Sequence, residues 1–273
     1  MKKIIYTIIV ALFSINLSAQ YFTMDFFVLN EGTESDYLKL EQVWKEYQMD
    51  AVEKGDKLGW MVFKVHKRNG EPIENTSYVV INQFESKEQL ENQGKDWSWA
   101  NFNSIVRSRL KGKMSSSTIR RVLAKNVKKE TYSMQGFNVD GTPWVGGNIK
   151  KGDVFSWGSA KALNDDYIMF EKEVWKPIAM RSVMSGDQYY WGITEITQKN
   201  DLLQKNQTVD FTNMYVNFFP EEPAPVNESA MMNQMDFKTQ KLMELLNKSC
   251  ESCLLYTSPS PRDVEESRMQ SSA

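Results

Sequence analysis

The sequence predicts an α+β chain built from two tandem βαββαβ repeats. Three observations predict it: a segment that occurs twice, hydrophobic periodicity that switches between strand-like and helix-like in the same order in both halves, and a turn-rich stretch between them. Residues 43–60 read VWKEYQMDAVEKGDKLGW and residues 174–191 read VWKPIAMRSVMSGDQYYW. Eight of these 18 positions are identical without a gap, against roughly one expected from random pairing.

In the first repeat, residues 21–29 alternate as a strand, and Glu31-Gly32-Thr33-Glu34-Ser35 supplies a turn with capping residues. Leu40, Val43, Trp44, Tyr47 and Ala51 then form one apolar stripe at helical spacing over residues 36–54. Gly55 ends that helix where a left-handed residue is wanted. A second strand follows over residues 58–65, a polar turn over 67–75 and a third strand over 77–84. Helical or mixed sequence over 87–123 leads to a last strand near 131–139.

The second repeat has strands over residues 154–160, 189–197 and 211–219, a first helix over 165–185 and, after the stiff 220–225 connector, a second helix over 231–247. Its last strand is absent from this reading. Gly141 to Gly147, with Pro143, forms the turn between the repeats, so the units are placed at residues 20–141 and 154–252 with a linker over 142–153.

Both ends have a character of their own. Lys2 and Lys3, an apolar run over residues 4–17 and Ser18-Ala19-Gln20 read as a signal peptide over residues 1–19, cleaved after Ala19. The run is shorter than the ~20 apolar residues a bilayer span requires. Export to the periplasm or outside is therefore expected, with no stable membrane anchor after cleavage. At the other end, residues 253–263 (CLLYTSPSPRD) resemble the translation of a sequencing-library adapter, and residues 253–273 are expected to be a disordered tail on a truncated chain. Cys250 and Cys253 then form no natural Cys-x-x-Cys pair, which leaves one thiol.

With two such units in one chain, the sequence resembles the dimeric α/β-barrel superfamily, whose ferredoxin-like units pair sheet to sheet. It is most similar to exported proteins of Bacteroidetes type in which two units are fused. The resemblance implies tandem ferredoxin-like repeats pairing as an intrachain barrel, a pseudo-dimer in one chain. The superfamily includes cofactor-free monooxygenases, haem-degrading enzymes and proteins without known activity, so the resemblance implies a fold more than a function.

Composition excludes several classes. Basic and acidic residues number 33 and 35, so the charge excess that a nucleic-acid binder relies on is missing. One His and two Cys leave little for metal or haem ligation, no nucleotide, hydrolase or zincin motif occurs, and no cofactor is expected.

Period two places Trp60, Val62, Lys64 and His66 on one face of the second strand, and Trp191, Ile193, Glu195 and Thr197 on the matching face of its counterpart. Either this face or its opposite lines the implied barrel. Lys64 and Glu195 hold equivalent positions with opposite charge, able to bridge in a cavity or to reach solvent. Asn82 and Asn217 are equivalent in the third strands, as polar groups for a ligand or as hydrogen-bonded structural amides. The candidate ligand-binding residues are thus Trp60, Lys64, Asn82, Trp191, Glu195 and Asn217, with no catalytic residue assignable. His66, the only imidazole, lacks a partner motif for haem ligation or general-base work. Trp44 and Trp175 lie on the packing stripe, whereas Trp97, Trp99 and Phe102 either form a recognition surface or fold over the core. The function expected is binding of a small apolar or amphipathic molecule in or beside the barrel. The alternatives are a cofactor-free monooxygenase-like oxidoreductase and a structural or interaction module.

Overall fold

The computed structural model describes residues 20–65, 76–95, 97–205, 210–221, 223 and 233–258. The first repeat runs β1 (Tyr21–Leu29), α1 (Glu34–Glu53), β2 (Gly59–Lys64), β3 (Thr76–Phe84), α2 (Lys87–Asn92), α3 (Trp99–Arg109), α4 (Ser116–Leu123) and β4 (Lys128–Gly141). The second runs β5 (Val154–Ala162), α5 (Asp166–Phe170), a π turn (Glu171–Trp175), α6 (Lys176–Ser185), β6 (Tyr190–Lys199), α7 (Asp201–Lys205), β7 (Asn213–Phe219), α8 (Phe237–Ser249) and β8 (Cys250–Ser258).

Local chemistry sets most helix ends. Ser86, Ser98, Ser115 and Asp236 precede α2, α3, α4 and α8, and each side chain accepts the backbone N–H three residues on. Thr33 behaves differently: its hydroxyl donates backward to the carbonyls of Asn30 and Val127, tying the start of α1 to the entry of β4. Gly55 and Gly186, equivalent in the two repeats, follow α1 and α6 at φ of 77° and 85°, a conformation in which a Cβ would be strained.

The strands form one sheet in the order β2-β3-β1-β4-β6-β7-β5-β8, all joined antiparallel. Each half has the β2-β3-β1-β4 order of a ferredoxin-like unit. The fold is therefore two such units in one chain, joined edge to edge through β4 and β6. One face of the sheet carries Phe22, Met24, Phe26, Met61, Phe63 and Val79 from the first unit against Phe155, Trp157, Met214, Val216 and Phe218 from the second. Phe155 lies at the centre, with ring centroids 5.1 Å from Phe63, 5.4 Å from Trp157 and 4.8 Å from Phe218. The other face is covered by helices separately in each unit.

One expectation is corrected. The second repeat does have a last strand: β8 pairs antiparallel with β5 from Phe155↔Ser258 to Ala162↔Cys250. The segment read as disordered from residue 253 is thus strand as far as Ser258. The physical reason is that β5 offers a row of backbone donors and acceptors at the sheet edge, and a ladder needs backbone from its partner more than particular side chains.

Candidate functional site

Strand register lines up the same residues twice. In the first unit Asn82 faces Thr23 on β1 and Trp60 on β2. In the second, Asn217 faces Ser156 on β5 and Trp191 on β6. Residues directly opposite each other share a sheet face, so each unit holds a row of hydroxyl, amide and indole across three strands. Trp60 packs with Tyr37, Leu40, Val43 and Phe102, and Trp191 with Tyr167, Val174, Ala179 and Met243. Both rows therefore lie under the helices, and the opposite face, with Met61, Phe63 and Val65, meets the other unit.

Each asparagine is held by a donor three residues before the tryptophan. Lys57 Nζ donates to Asn82 Oδ1 at 2.7 Å, and Asn82 Nδ2 donates to Thr23 Oγ1 at 3.0 Å. Gln188 Nε2 donates to Asn217 Oδ1 and to the Tyr190 carbonyl, both at 2.8 Å. Lys57 and Gln188 are both buried.

The helices add a second duplicated pair above each row. Tyr37 and Glu41 lie one turn apart on α1, and Tyr167 and Glu171 lie one turn apart across the end of α5. All four are buried. The second repeat has one more residue between this tyrosine and the Val-Trp-Lys segment than the first, and the π turn at Glu171–Trp175 accommodates the insertion. Burial pushes both phenols up, and each neighbouring carboxyl pushes further in the same direction. Burial also raises Glu41, and raises Glu171 to about 7. Each carboxyl is the hydrogen-bonding neighbour of its phenol, whereas Trp191 Nε1 is buried without an acceptor.

The two sites differ in charge. In the first unit Asp25 accepts from Ser133 Oγ at 2.5 Å, and Lys128 Nζ lies 3.4 Å from the centre of the Phe27 ring. Burial dominates at every ionisable group here, raising Asp25 and lowering Lys128 and Lys57, the last to about 8. By register, the counterpart of Asp25 is Gly158, opposite Tyr215, where an added Cβ would run into the Tyr215 ring. An aromatic side chain thus occupies in the second unit the place a carboxylate takes in the first.

Of the residues singled out in the sequence, the structure brings Trp60 to Asn82 and Trp191 to Asn217. Lys64 instead pairs with Glu34 Oε1 at 2.9 Å, at the start of α1. Glu195 is exposed on β6 and lines no buried site. His66 lies outside the described residues. Trp97 and Trp99 are exposed, whereas Phe102 is buried under Trp44 and Tyr47. Sequence reasoning missed Lys57, Gln188 and both Tyr–Glu pairs. Lys57 and Gln188 align within the repeated segment but share a hydrogen-bonding role and not an identity. The Tyr–Glu pairs, in YLKLE and YIMFE, emerge only when one gap is allowed.

Fold and site together define an intrachain α/β-barrel protein with a duplicated, buried polar row beneath its helices. No protein-family model matches the sequence, and no curated protein matches it. Among solved structures, it is similar to an anthrone oxidase-like protein at 12% identity, covering 89% of this chain and 93% of that one, with a TM-score of 0.44. It is also similar to a candidate monooxygenase from Lactobacillus acidophilus NCFM at 10% identity, covering 88% and 93%, with a TM-score of 0.48. A heme-binding protein from Thermus thermophilus is similar at 11% identity, covering 88% and 90%, with a TM-score of 0.42. Such likenesses carry no chemistry across, and the function of this chain rests on its own residues. Among the described residues no group of three His, Cys, Asp or Glu is placed to hold a metal ion, and no helix is long and apolar enough to cross a membrane.

Proposed function

We propose that this is an exported protein, mature from Gln20, that binds a small apolar or amphipathic molecule beside the barrel, in the layer between helices and sheet of the second repeat. The observation that carries the reading is an orphaned donor: Trp191 Nε1 is buried without an acceptor, in the same layer as the buried Tyr167–Glu171 pair. Leaving such a group unpaired costs about 1–3 kcal/mol, which a ligand oxygen accepting from it would recover. Val174, Ala179, Ile193, Met243 and Leu246 surround the pair with apolar surface suited to a hydrocarbon body. The test is native mass spectrometry of the mature protein, joined to thermal shifts against lipid, quinone and aromatic panels. A retained mass or a ligand-dependent shift that Tyr167→Phe and Trp191→Phe diminish is expected. A bare mass with no shift across all three panels overturns the reading and favours a structural or interaction module.

A second reading, oxidation of an electron-rich phenol by dioxygen without a cofactor, is favoured by one further observation. Glu171 is a buried carboxyl with a pKa of about 7 beside the Tyr167 hydroxyl, poised to accept a proton near neutrality. Oxygen consumption with phenolic substrates, lost in Glu171→Gln and on changing Trp60, Asn82 or Trp191, tests it. No consumption by the wild type removes it.

A further inference from the structure

The helices over the first repeat carry charge of one sign. From Trp97 to Lys129 the chain has nine basic residues and no acidic one, although the whole chain is slightly acidic. Folding neutralises some of the nine. Arg109 pairs with Glu46 and Glu53, Lys125 pairs with Asp36, and Lys128 is half-buried over the Phe27 ring. Arg107, Lys111, Lys113, Arg120 and Arg121 are exposed, and none of them forms an ion pair among the described residues. Arg121 acts on Asp36 only through space.

Packing turns these five cations outward. Phe102, Val106 and Leu110 bind one side and the end of α3 to the core, and Ile119 and Val122 do the same for α4. Arg107 therefore stands on the outer side of α3, Arg120 and Arg121 on the outer side of α4, and Lys111 and Lys113 in the turn between the helices. All of them face away from the sheet, and the core requires none of them.

We propose that this outer face of α3 and α4 is a docking surface for an anionic lipid bilayer, which it meets through the headgroup phosphates. Charge complementarity supports this occupant, because each Lys or Arg held near a negatively charged membrane tightens binding roughly fivefold. The acidic excess in the rest of the chain turns the molecule so that this face leads. No large apolar side chain is exposed between residues 100 and 129, so the face lacks the anchor around which a protein interface is built. The preference for lipid over nucleic acid rests on the export proposed above. Docking of this kind is reversible and needs no membrane-spanning segment.

The experiment sediments the mature chain from Gln20, free of the apolar run over residues 4–17, with vesicles of phosphatidylcholine alone or mixed with phosphatidylglycerol. Binding is expected only to the mixed vesicles, at low salt, with release at about 1 M salt, where the Debye length falls to roughly 3 Å. Arg107→Glu, Arg120→Glu and Arg121→Glu together should weaken it at least about a hundredfold. Lys151→Glu, Lys238→Glu and Lys248→Glu, which change net charge equally at exposed sites of the second repeat, should weaken it less than about tenfold. Should the first triple variant fail to fold, acetylation of the wild type on vesicles decides: Lys111 and Lys113 are expected to be protected, and Lys151 and Lys248 to react as in solution. No binding by the wild type, equal weakening by both triple variants, or equal acetylation of all four lysines overturns the proposal. Tighter binding to duplex DNA than to the mixed vesicles at the same salt overturns it as well. None of these outcomes touches the small-molecule reading of the second repeat.

Discussion

Glu171 shows how one buried side chain makes this protein respond to pH. Its carboxyl is held neutral by burial, so its folded pKa of about 7 stands above the unfolded value of 4.5. Below about pH 4.5 both states are protonated and the group contributes no pH dependence. Between there and about pH 7 the unfolded chain has released a proton that the native state keeps, so stability falls as pH rises, by at most about 3 kcal/mol from this residue. Glu171→Gln keeps the shape and removes the proton. The difference in unfolding free energy between wild type and variant, measured by urea titration from pH 4 to 8, should change in that window and level off above it. A pH-independent difference would mean that the carboxylate is already ionised in the native state. The residue's role was hidden in the sequence because a lone Glu on a helix reads as solvated surface, and only the packing of Tyr167 and the sheet against it makes it otherwise.

At the scale of the element, the π turn explains what could and could not be read from the sequence. The repeated segment was enough to place Trp60 and Trp191 in equivalent positions, and strand alternation put each on one face of its strand, but the pairing of each with its asparagine came only with the strand register. Alternation could not say which face met the helices, because both faces of this sheet are buried and both read as apolar. The Tyr–Glu pairs were obscured by one inserted residue. Pro177 follows that insertion closely, and a proline has no N–H to return to the preceding turn, so a local widening there has a ready cause. Deleting Glu173, which is exposed within the π turn, should convert the turn to regular α-helix and give the second repeat the spacing of the first. Deleting Met180 from α6 should instead rotate the residues beyond it by about 100° around the helix axis and pull Val183 from the core. Circular dichroism and thermal melts should show the first deletion within several degrees of wild type and the second largely unfolded. Equal damage from both would refute the reading of the π turn as an accommodated insertion.

The whole molecule is a dimer written into one chain, and its sheet order says how the halves recognise each other. The central junction joins β4 of the first repeat to β6, the β2-equivalent of the second. The strands at the two ends of the order are β2 and β8, the same two kinds of strand as those joined in the middle. A single repeat consequently carries both halves of the junction, together with an apolar inner face that is buried only against another unit. Residues 20–141 expressed alone should therefore form a homodimer, with β4 of each copy on β2 of the other and Phe63 of one copy facing Phe22 of the other, because Phe63 meets Phe155, which holds the Phe22 position in the second repeat. Light scattering coupled to size exclusion should give twice the unit mass, and Phe63→Asp, which puts a charge in that contact, should abolish the dimer. In the full chain Phe155→Ala removes the ring that touches Phe63, Trp157 and Phe218 and should cost about 3–5 kcal/mol. If the contact couples the halves, that loss appears as one cooperative transition moved to lower temperature. Two separate transitions, or a stable monomer of residues 20–141, would mean that each unit closes its own core and that the shared face is an association surface and no part of the folding unit.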